Sequence, residues 1–348
     1  MSDLEENVIA YVNDNIFRLL NELRELEERT EKRRLQDLKN VEEKIGRAFN
    51  ALRDMEANWE AKLSESLKNR VYTPNVKMLD YAQHGTFAAY STCSAADFFH
   101  PRYAEICSMF GRAPVFHRKF WEWVYITHKL LDSGAVKEGS RGIAFGVGQE
   151  PLPALFASLG ATIVATDAPP EIVRNAGWSQ SNQHSASRDQ LRHPGIIPDA
   201  LFDERVQHRF CDMTAIDPDL KDFDFAWSSC SFEHLGSLEA GIQFVVDTVE
   251  KVLKVGGIAC HTTEFNLSSD DDTVAEGGTV LYRRRDLLAL IDRLRQRGHE
   301  VEPFLLAPDT HFLDYHVDVP PWRGSPHLKL RIGQYVATSV GIVARRGK

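Results

Sequence analysis

Residues Arg141 to Asp167 read RGIAFGVGQEPLPALFASLGATIVATD. Gly142 to Phe145 are small or apolar without alternation, which suits a strand covered on both faces. Gly146 and Gly148 then make a turn. Pro151 and Pro153 stand where the first turn of a helix tolerates proline, and Leu152, Leu155, Phe156 and Leu159 give that helix an apolar stripe. Gly160 stops the helix, and the β-branched run Thr162 to Val164 opens a second strand that ends on Asp167. The stretch is half of a nucleotide-binding α/β unit. Its acid lies about twenty positions past the turn, where ribose recognition needs one.

A dinucleotide site asks for a third glycine or an alanine where this chain has Pro151, and Glu150 beside it would repel a diphosphate. A ligand with a ribose and no phosphate fits better. S-adenosylmethionine is such a ligand, and Glu150 suits its amino group.

The 348 residues suffice for about two domains with a sizeable core. A net charge of −9 and a pI near 5.8 argue against a nucleic acid bound through a broad basic surface. Cys93, Cys107, Cys211, Cys230 and Cys260 are scattered without a CxxC pair, so the sequence points to reduced thiols and to neither a zinc knuckle nor a disulfide framework. The start, MSDLEENVIAYVND, has no basic, then apolar, signal pattern, and no run has the length of an integral membrane segment. The expected location is cytoplasmic.

Before about Lys68 the chain has one glycine, Gly46, and no proline. Leu38, Val41, Ile45, Ala48, Leu52, Met55 and Trp59 alternate by three and four, and Leu63 and Leu67 continue the stripe at fours. Ile16, Leu19, Leu23 and Leu26 form an earlier set, and the charged stretch Glu27 to Arg34 shifts the register between the two. This is a coiled-coil seam with one discontinuity. A long helix pairing with copies of itself is favoured over a hairpin, because nothing in the charged stretch breaks a helix. Residues 1–70 are therefore expected to form a homo-oligomer.

Thr73-Pro74-Asn75 ends that helix, and residues 71–140 read as a helical cap or linker. Its last helix, in HRKFWEWVYITHKLLDSG, has Phe120, Val124, Ile126, Leu130 and Leu131 on its apolar side. His117, Trp121 and Trp123 read as core aromatics more readily than as ligand contacts.

Past Asp167, Pro169 to Asp203 is a long insertion whose polar run GWSQSNQHSASRDQL includes Trp178, Gln183 and His184. Arg205 to Phe210 then reads as a third strand ending in Cys211-Asp212-Met213. There Asp212 can accept from an adenine amino group and Met213 can pack on the ring. A strand from Phe223 to Ser228 leads into SSCSFEHLGS, which puts Ser228, Ser229, Glu233 and His234 at a carboxyl end, where ligands of open α/β sheets bind. The helix Leu238 to Leu253, a Gly256-Gly257 turn and the strand Ile258 to Thr263 follow, with Glu264 and Asn266 just past the end.

Together FGVGQE, ATDAP, the FCDM acid, SSCSFEHL and LKVGGIACHTTE resemble class I S-adenosylmethionine-dependent methyltransferases over roughly Arg141 to Arg346, and among them those of bacterial glycan and polysaccharide biosynthesis. The resemblance implies a Rossmann-like α/β domain over 141–348, with a seven-stranded sheet whose last strand is antiparallel. Glu300 to Leu306 and Tyr335 to Arg345 would be its closing hairpin. It also implies S-adenosylmethionine as cofactor, held by Gly146, Gly148, Glu150, Asp167, Ala168, Asp212, Met213, Ser228 and Ser229. The chain departs from the pattern at Ala144, where the family usually carries an acid.

The activity implied is O-methylation of a sugar or glycoconjugate hydroxyl, with a small-molecule or glycan acceptor. A base must take the hydroxyl proton. His234 is first choice, because imidazole titrates near neutrality, with Glu233, His261 and Glu264 as rivals. His311, Asp314, His316 and Asp318 are spaced closely enough to offer metal ligands, yet a solvated loop is the better reading, and no metal is assigned. A non-catalytic cofactor-binding scaffold remains an alternative. A nicotinamide oxidoreductase is disfavoured by Glu150 and Pro151.

Overall fold

A computed structural model of the chain describes residues 14–18, 31–68, 86–172 and 184–348, with the side chains of 31–37 and 59–68 outside the description. Leu19, Leu23 and Leu26 of the seam, the breaker Thr73-Pro74-Asn75, and Trp178 and Gln183 of the insertion lie outside the described residues. The chain divides into two units, Met1–Thr73 and Pro74–Lys348.

In the first unit, helix α1 runs Glu31–Lys68 without interruption. The absence of proline and the seam's three-four spacing make a helix of this length self-consistent. On its stripe Leu38 and Met55 are exposed, Ile45, Ala48 and Leu52 partly so, and Val41 is buried. Phe49, next to that stripe, is 70% exposed.

The second unit is an α/β layer structure, and the unit predicted at Arg141 to Asp167 is at its centre. Strand β1 is Arg141–Phe145, helix α5 Leu152–Ser158 and strand β2 Thr162–Asp167. β3 (Val206–Phe210) and β4 (Phe223–Ser229) follow, then the long β6 (Leu253–Asn266) and β11 (Tyr335–Arg345). β5 (Gly236–Ser237) and β7 (Glu276–Gly277) form a separate two-stranded ribbon. The order in the main sheet is β3-β2-β1-β4-β6-β11, parallel as far as β6 and antiparallel at β11. Because β1 leads to β2 and β3 on one side and β4 to β6 on the other, the strand order reverses between β1 and β4. That reversal opens the crevice at which such sheets bind ligands.

Two corrections concern the far edge. Among the described residues the main sheet has nine strands, not seven. The predicted partner of β11, Glu300 to Leu306, pairs only as β8, Glu300–Val301. The hairpin is instead made by β10 (Lys329–Ile332), which also pairs with β9 (Val317–Asp318). Between β8 and β10 the edge of β11 is completed by Ser91 to Cys93. Gly341 donates to the Ser91 carbonyl at 2.7 Å, and Cys93 to that of Ser339 at 2.9 Å. Three short segments thus satisfy one long strand.

Helices α4 (Arg118–Asp132), α5 and α6 (Asp199–Arg205) cover one face. α2 (Ala95–Phe99) and α3 (Pro101–Met109) pack behind α4. α7 (Leu238–Asp247) and α8 (Arg284–Gln296) cover the other. α4 lies across β4, β6 and β11. It comes close at Gly341, where a Cβ would sit 2.1 Å from the Tyr125 ring. Trp121 is buried as expected, donating from Nε1 to Asp97 at 2.7 Å. The run from His311 to Asp318 is no solvated loop, because His311, Asp314 and Asp318 are all nearly fully buried. Asp314 accepts from the amides of Ala95, Thr310 and His311, and Asp318 accepts from His327 Nδ1 at 2.6 Å and from the amides of Arg323 and Gly324. Asp314 braces the start of α2 and the turn at Thr310 and His311, and Asp318 braces the loop at Arg323 and Gly324.

Candidate active site

At the end of β1 the chain turns through Gly146 (φ +59°) and Gly148 (φ +53°), the left-handed region in which an L side chain is strained. Gly146 also has no room for a side chain, since a Cβ there would stand 2.5 Å from that of Ser231 and 3.5 Å from the sulfur of Met213. Ser231 donates to the Phe145 carbonyl at 3.2 Å across the β1–β4 crevice. The glycine turn, Met213 and the loop after β4 therefore converge on the switch point.

Asp167, at the end of β2, closes the turn by accepting from the Gly148 amide at 2.9 Å. It also accepts from Ser185 at 2.8 Å and Ala168 at 2.8 Å, so the insertion is tied to the same carboxylate. His184 of the insertion donates from Nε2 to the Ala168 carbonyl at 2.9 Å. Burial raises the Asp167 carboxyl, and the three amides oppose that rise. Asp212 accepts from both the amide and the hydroxyl of Thr214 through Oδ1, at 2.8 and 2.7 Å, capping the turn that carries Met213.

Glu150, Ser228 and Ser229 stand differently from their expected cofactor role. Glu150 is buried and accepts from Trp227 Nε1 at 2.6 Å. Burial pushes its carboxyl up to about 8, so near neutrality it is an uncharged core group. Ser228 hydrogen-bonds to His261 Nδ1 at 2.8 Å, and both are fully buried. His261 lies between the rings of Phe232 and Phe244, at 6.3 and 5.4 Å, and burial lowers it to about 3. It is a core histidine and no candidate base.

Ser229 belongs to a polar cluster whose hub, Glu122 on α4, was not singled out in the sequence. Glu122 is fully buried, and its carboxylate takes six donors. Oε2 accepts from Ser229 Oγ (3.0 Å), Thr262 Oγ1 (3.1 Å) and Lys119 Nζ (3.3 Å). Oε1 accepts from Cys230 Sγ (3.0 Å), Arg118 Nη1 (3.2 Å) and the Ser339 hydroxyl. Burial alone would raise this acid, but Lys119 and Arg118 outweigh it and hold the carboxyl at about 2. The cations are aimed by their helix end. His117 caps α4, its Nδ1 accepting from the Lys119 amide at 3.0 Å, so that Arg118 and Lys119 start the helix directly over β4 and β6.

Beyond the hub the cluster becomes acidic. Arg118 pairs through Nη2 with Oε1 of Glu264, while Glu264 Oε2 is buried with no hydrogen-bond partner among the described residues. Burial pushes the Glu264 carboxyl up to about 7, with Arg118 opposing and Glu233 and Glu122 adding to the rise. Glu233, also buried, accepts from Thr263 Oγ1 at 3.0 Å. Cys230 turns the chain between the two acids at φ +46°, a strained conformation held by its amide, which donates to Thr262 O at 3.0 Å. His234 stands beside Glu233 with Nδ1 on the Gly278 carbonyl at 2.7 Å and near Thr279 Oγ1 at 3.2 Å. A carbonyl only accepts, so Nδ1 carries the proton and Nε2 is the basic nitrogen.

The missed residues had a signal. Arg118, Lys119 and Glu122 are spaced i,i+4 and i,i+3, and Glu122 interrupts the aromatic run FWEWVY on a helix that is otherwise core. Strand alternation likewise separates His261 and Thr263 from Thr262 and Glu264, the second pair facing α4.

No protein-family model matches the chain, and no curated protein does. Among solved structures, similarity is found to a putative sarcosine dimethylglycine methyltransferase from Galdieria sulphuraria, at 15% identity over 50% of this chain and 53% of that one, TM-score 0.32. A TehB-like SAM-dependent methyltransferase from Corynebacterium glutamicum is 14% identical over 70% of this chain and 94% of that one, TM-score 0.35. A 1,6-didemethyltoxoflavin-N1-methyltransferase from Burkholderia thailandensis, with S-adenosylhomocysteine bound, is 14% identical over 66% and 79%, TM-score 0.38. The chain spans about half the length of the Galdieria protein.

Proposed function

We propose that the chain is a methyltransferase that uses S-adenosylmethionine and transfers its methyl group to a hydroxyl of a sugar or glycoconjugate. The observation that carries this reading is the switch point between β1 and β4, with the left-handed glycine turn at the end of β1, and the buried acids Glu233 after β4 and Glu264 near the end of β6. There Gly146, Gly148, Asp167 and Ala168 cradle the ribose end, and Asp212 and Met213 the adenine.

In the transfer the sulfur–carbon bond breaks and an oxygen–carbon bond forms in line. The electron pair stays on sulfur, leaving S-adenosylhomocysteine. The hydroxyl proton goes to Nε2 of His234, whose tautomer the Gly278 carbonyl fixes. Positioning supplies much of the rate. Tyr315 before β9 and Trp322 after it, 69% and 52% exposed, offer aromatic surface against which a sugar ring can lie.

A second reading is a cofactor-binding scaffold without catalysis, favoured by the three amides that already occupy Asp167. Incubation with methyl-labelled S-adenosylmethionine and a panel of nucleotide sugars and glycans separates the two. Alkali-stable label in an acceptor, lost in His234→Ala, is the expected result. Label in none of them, despite bound cofactor, overturns the catalytic reading.

The partner surface is proposed to be α1, which pairs with further copies through residues 1–70. Removal of the residues before Tyr72 is expected to give a monomer that keeps its cofactor affinity. Light scattering that shows the full assembly after truncation would assign the contact to the second unit.

A further inference from the structure

The loop after β4 and the end of β6 bring together three side chains that the transfer does not use for proton movement: Cys230, Glu233 and Glu264. One ligand atom from each lies within 4.8 Å of the others. Such a group of acids is common on protein surfaces. Here, however, Glu233 and Glu264 are 1% and 4% exposed, and the Glu264 carboxylate keeps one oxygen, Oε2, buried without a donor among the described residues. Leaving a buried carboxylate oxygen unsatisfied is costly. Arg118 meets Oε1 through Nη2, its own Nε being buried and unpartnered among the described residues, and the Glu233 carboxylate and the Cys230 thiol turn toward the same space.

We infer that Cys230, Glu233 and Glu264 bind a divalent metal ion of the zinc class. Charge supports a dication. When all three are ionised, as metal ligation requires of Glu233 and Glu264, Glu122, Glu233 and Glu264 contribute three negative charges against the two positive charges of Arg118 and Lys119. Once the thiol is ionised a fourth is added, and a dication brings the whole cluster to neutrality. Donor chemistry selects the ion, since a thiolate with two carboxylates suits zinc, cobalt or similar borderline ions better than magnesium or calcium. Cys230 is the least buried residue of the three. On binding, the sulfur–hydrogen bond now directed at Glu122 breaks, its proton leaves to solvent and a sulfur–metal bond replaces it, with no change in oxidation state. Three protein ligands leave a coordination position open, the arrangement of sites that also hold water or a substrate oxygen. The inference concerns metal uptake and stands whether or not methyl transfer occurs.

The probe is cobalt(II) alone, titrated into the metal-free full-length protein. Uptake of one equivalent is expected, with a thiolate-to-cobalt charge-transfer band in the near ultraviolet that zinc bleaches. Cys230→Ser should remove the band. Glu264→Gln should weaken uptake at least about tenfold, since losses even in the shell around a metal's ligands cost 10–100-fold. Circular dichroism of each variant establishes that it is folded. Absence of the band in the wild-type protein, or its persistence in Cys230→Ser, overturns the assignment, the second outcome by placing the metal on another thiol.

Discussion

Glu122→Ala is expected to lower the unfolding free energy by about 3–5 kcal/mol, the usual cost of removing one partner from a buried ion network. The reason is local. Two cations, two hydroxyls of β4 and β6, the Cys230 thiol and the Ser339 hydroxyl all terminate on this one carboxylate. Without it Lys119 loses its carboxylate partner, Arg118 keeps only Glu264, and the three strands lose the group that joins them to α4. Acid should narrow the difference. The folded-state value near 2 lies below that of a free carboxyl, so the stabilisation is complete above about pH 4.5 and is lost as pH falls toward 2. Denaturant titrations of both proteins at pH 7 and at pH 3 check this. A loss under about 1 kcal/mol at pH 7, as for an exposed ion pair, would contradict the hub assignment.

Glu150→Gln should behave in the opposite sense. The folded protein holds this carboxyl protonated up to about pH 8, whereas the unfolded chain ionises it near 4.5. The wild-type protein is therefore favoured by this group below about pH 4.5 and loses that contribution as pH rises through 8. Glutamine keeps an acceptor for Trp227 Nε1 and does not titrate. The variant should match the wild type near pH 5 and exceed it by a few kcal/mol at pH 9, since each tenfold change in proton affinity is worth about 1.4 kcal/mol. Unfolding curves at the two pH values measure it. Equal stabilities at pH 9 would mean that Glu150 ionises freely and is accessible to a cationic ligand after all.

The central α/β unit could be read from the sequence because its signals are local. An unalternating apolar run, two glycines forced to positive φ and a stripe at helical spacing lie within Arg141 to Asp167, and the structure reproduces β1, α5 and β2 nearly residue for residue. The far edge was not legible for the opposite reason. β11 is completed by Glu300–Val301, Ser91 to Cys93 and Lys329–Ile332, segments too short to carry a period and joined only by the strand they serve. At the site, residues immediately past strand ends were the natural candidates. Glu233 and His234 do lie there, whereas β6 runs on to Asn266 and holds Glu264 and Asn266 within the strand. Alternation within a strand decided the others. It turned His261 and Ser228 toward α7 and into the core, and turned Ser229, Thr262 and Glu264 toward α4. Glu122 was overlooked because it sits between two tryptophans on a helix read only for packing, although a charge in such a run requires partners of its own.

Calorimetric titration of the full-length protein with S-adenosylhomocysteine, with NADH as control, tests the central claim most directly. One equivalent should bind with micromolar affinity, NADH should give no heat, and Gly148→Val, which puts a β-branched side chain at φ +53°, should abolish the binding. Absence of S-adenosylhomocysteine binding in the wild-type protein, or binding of NADH in its place, would contradict the account.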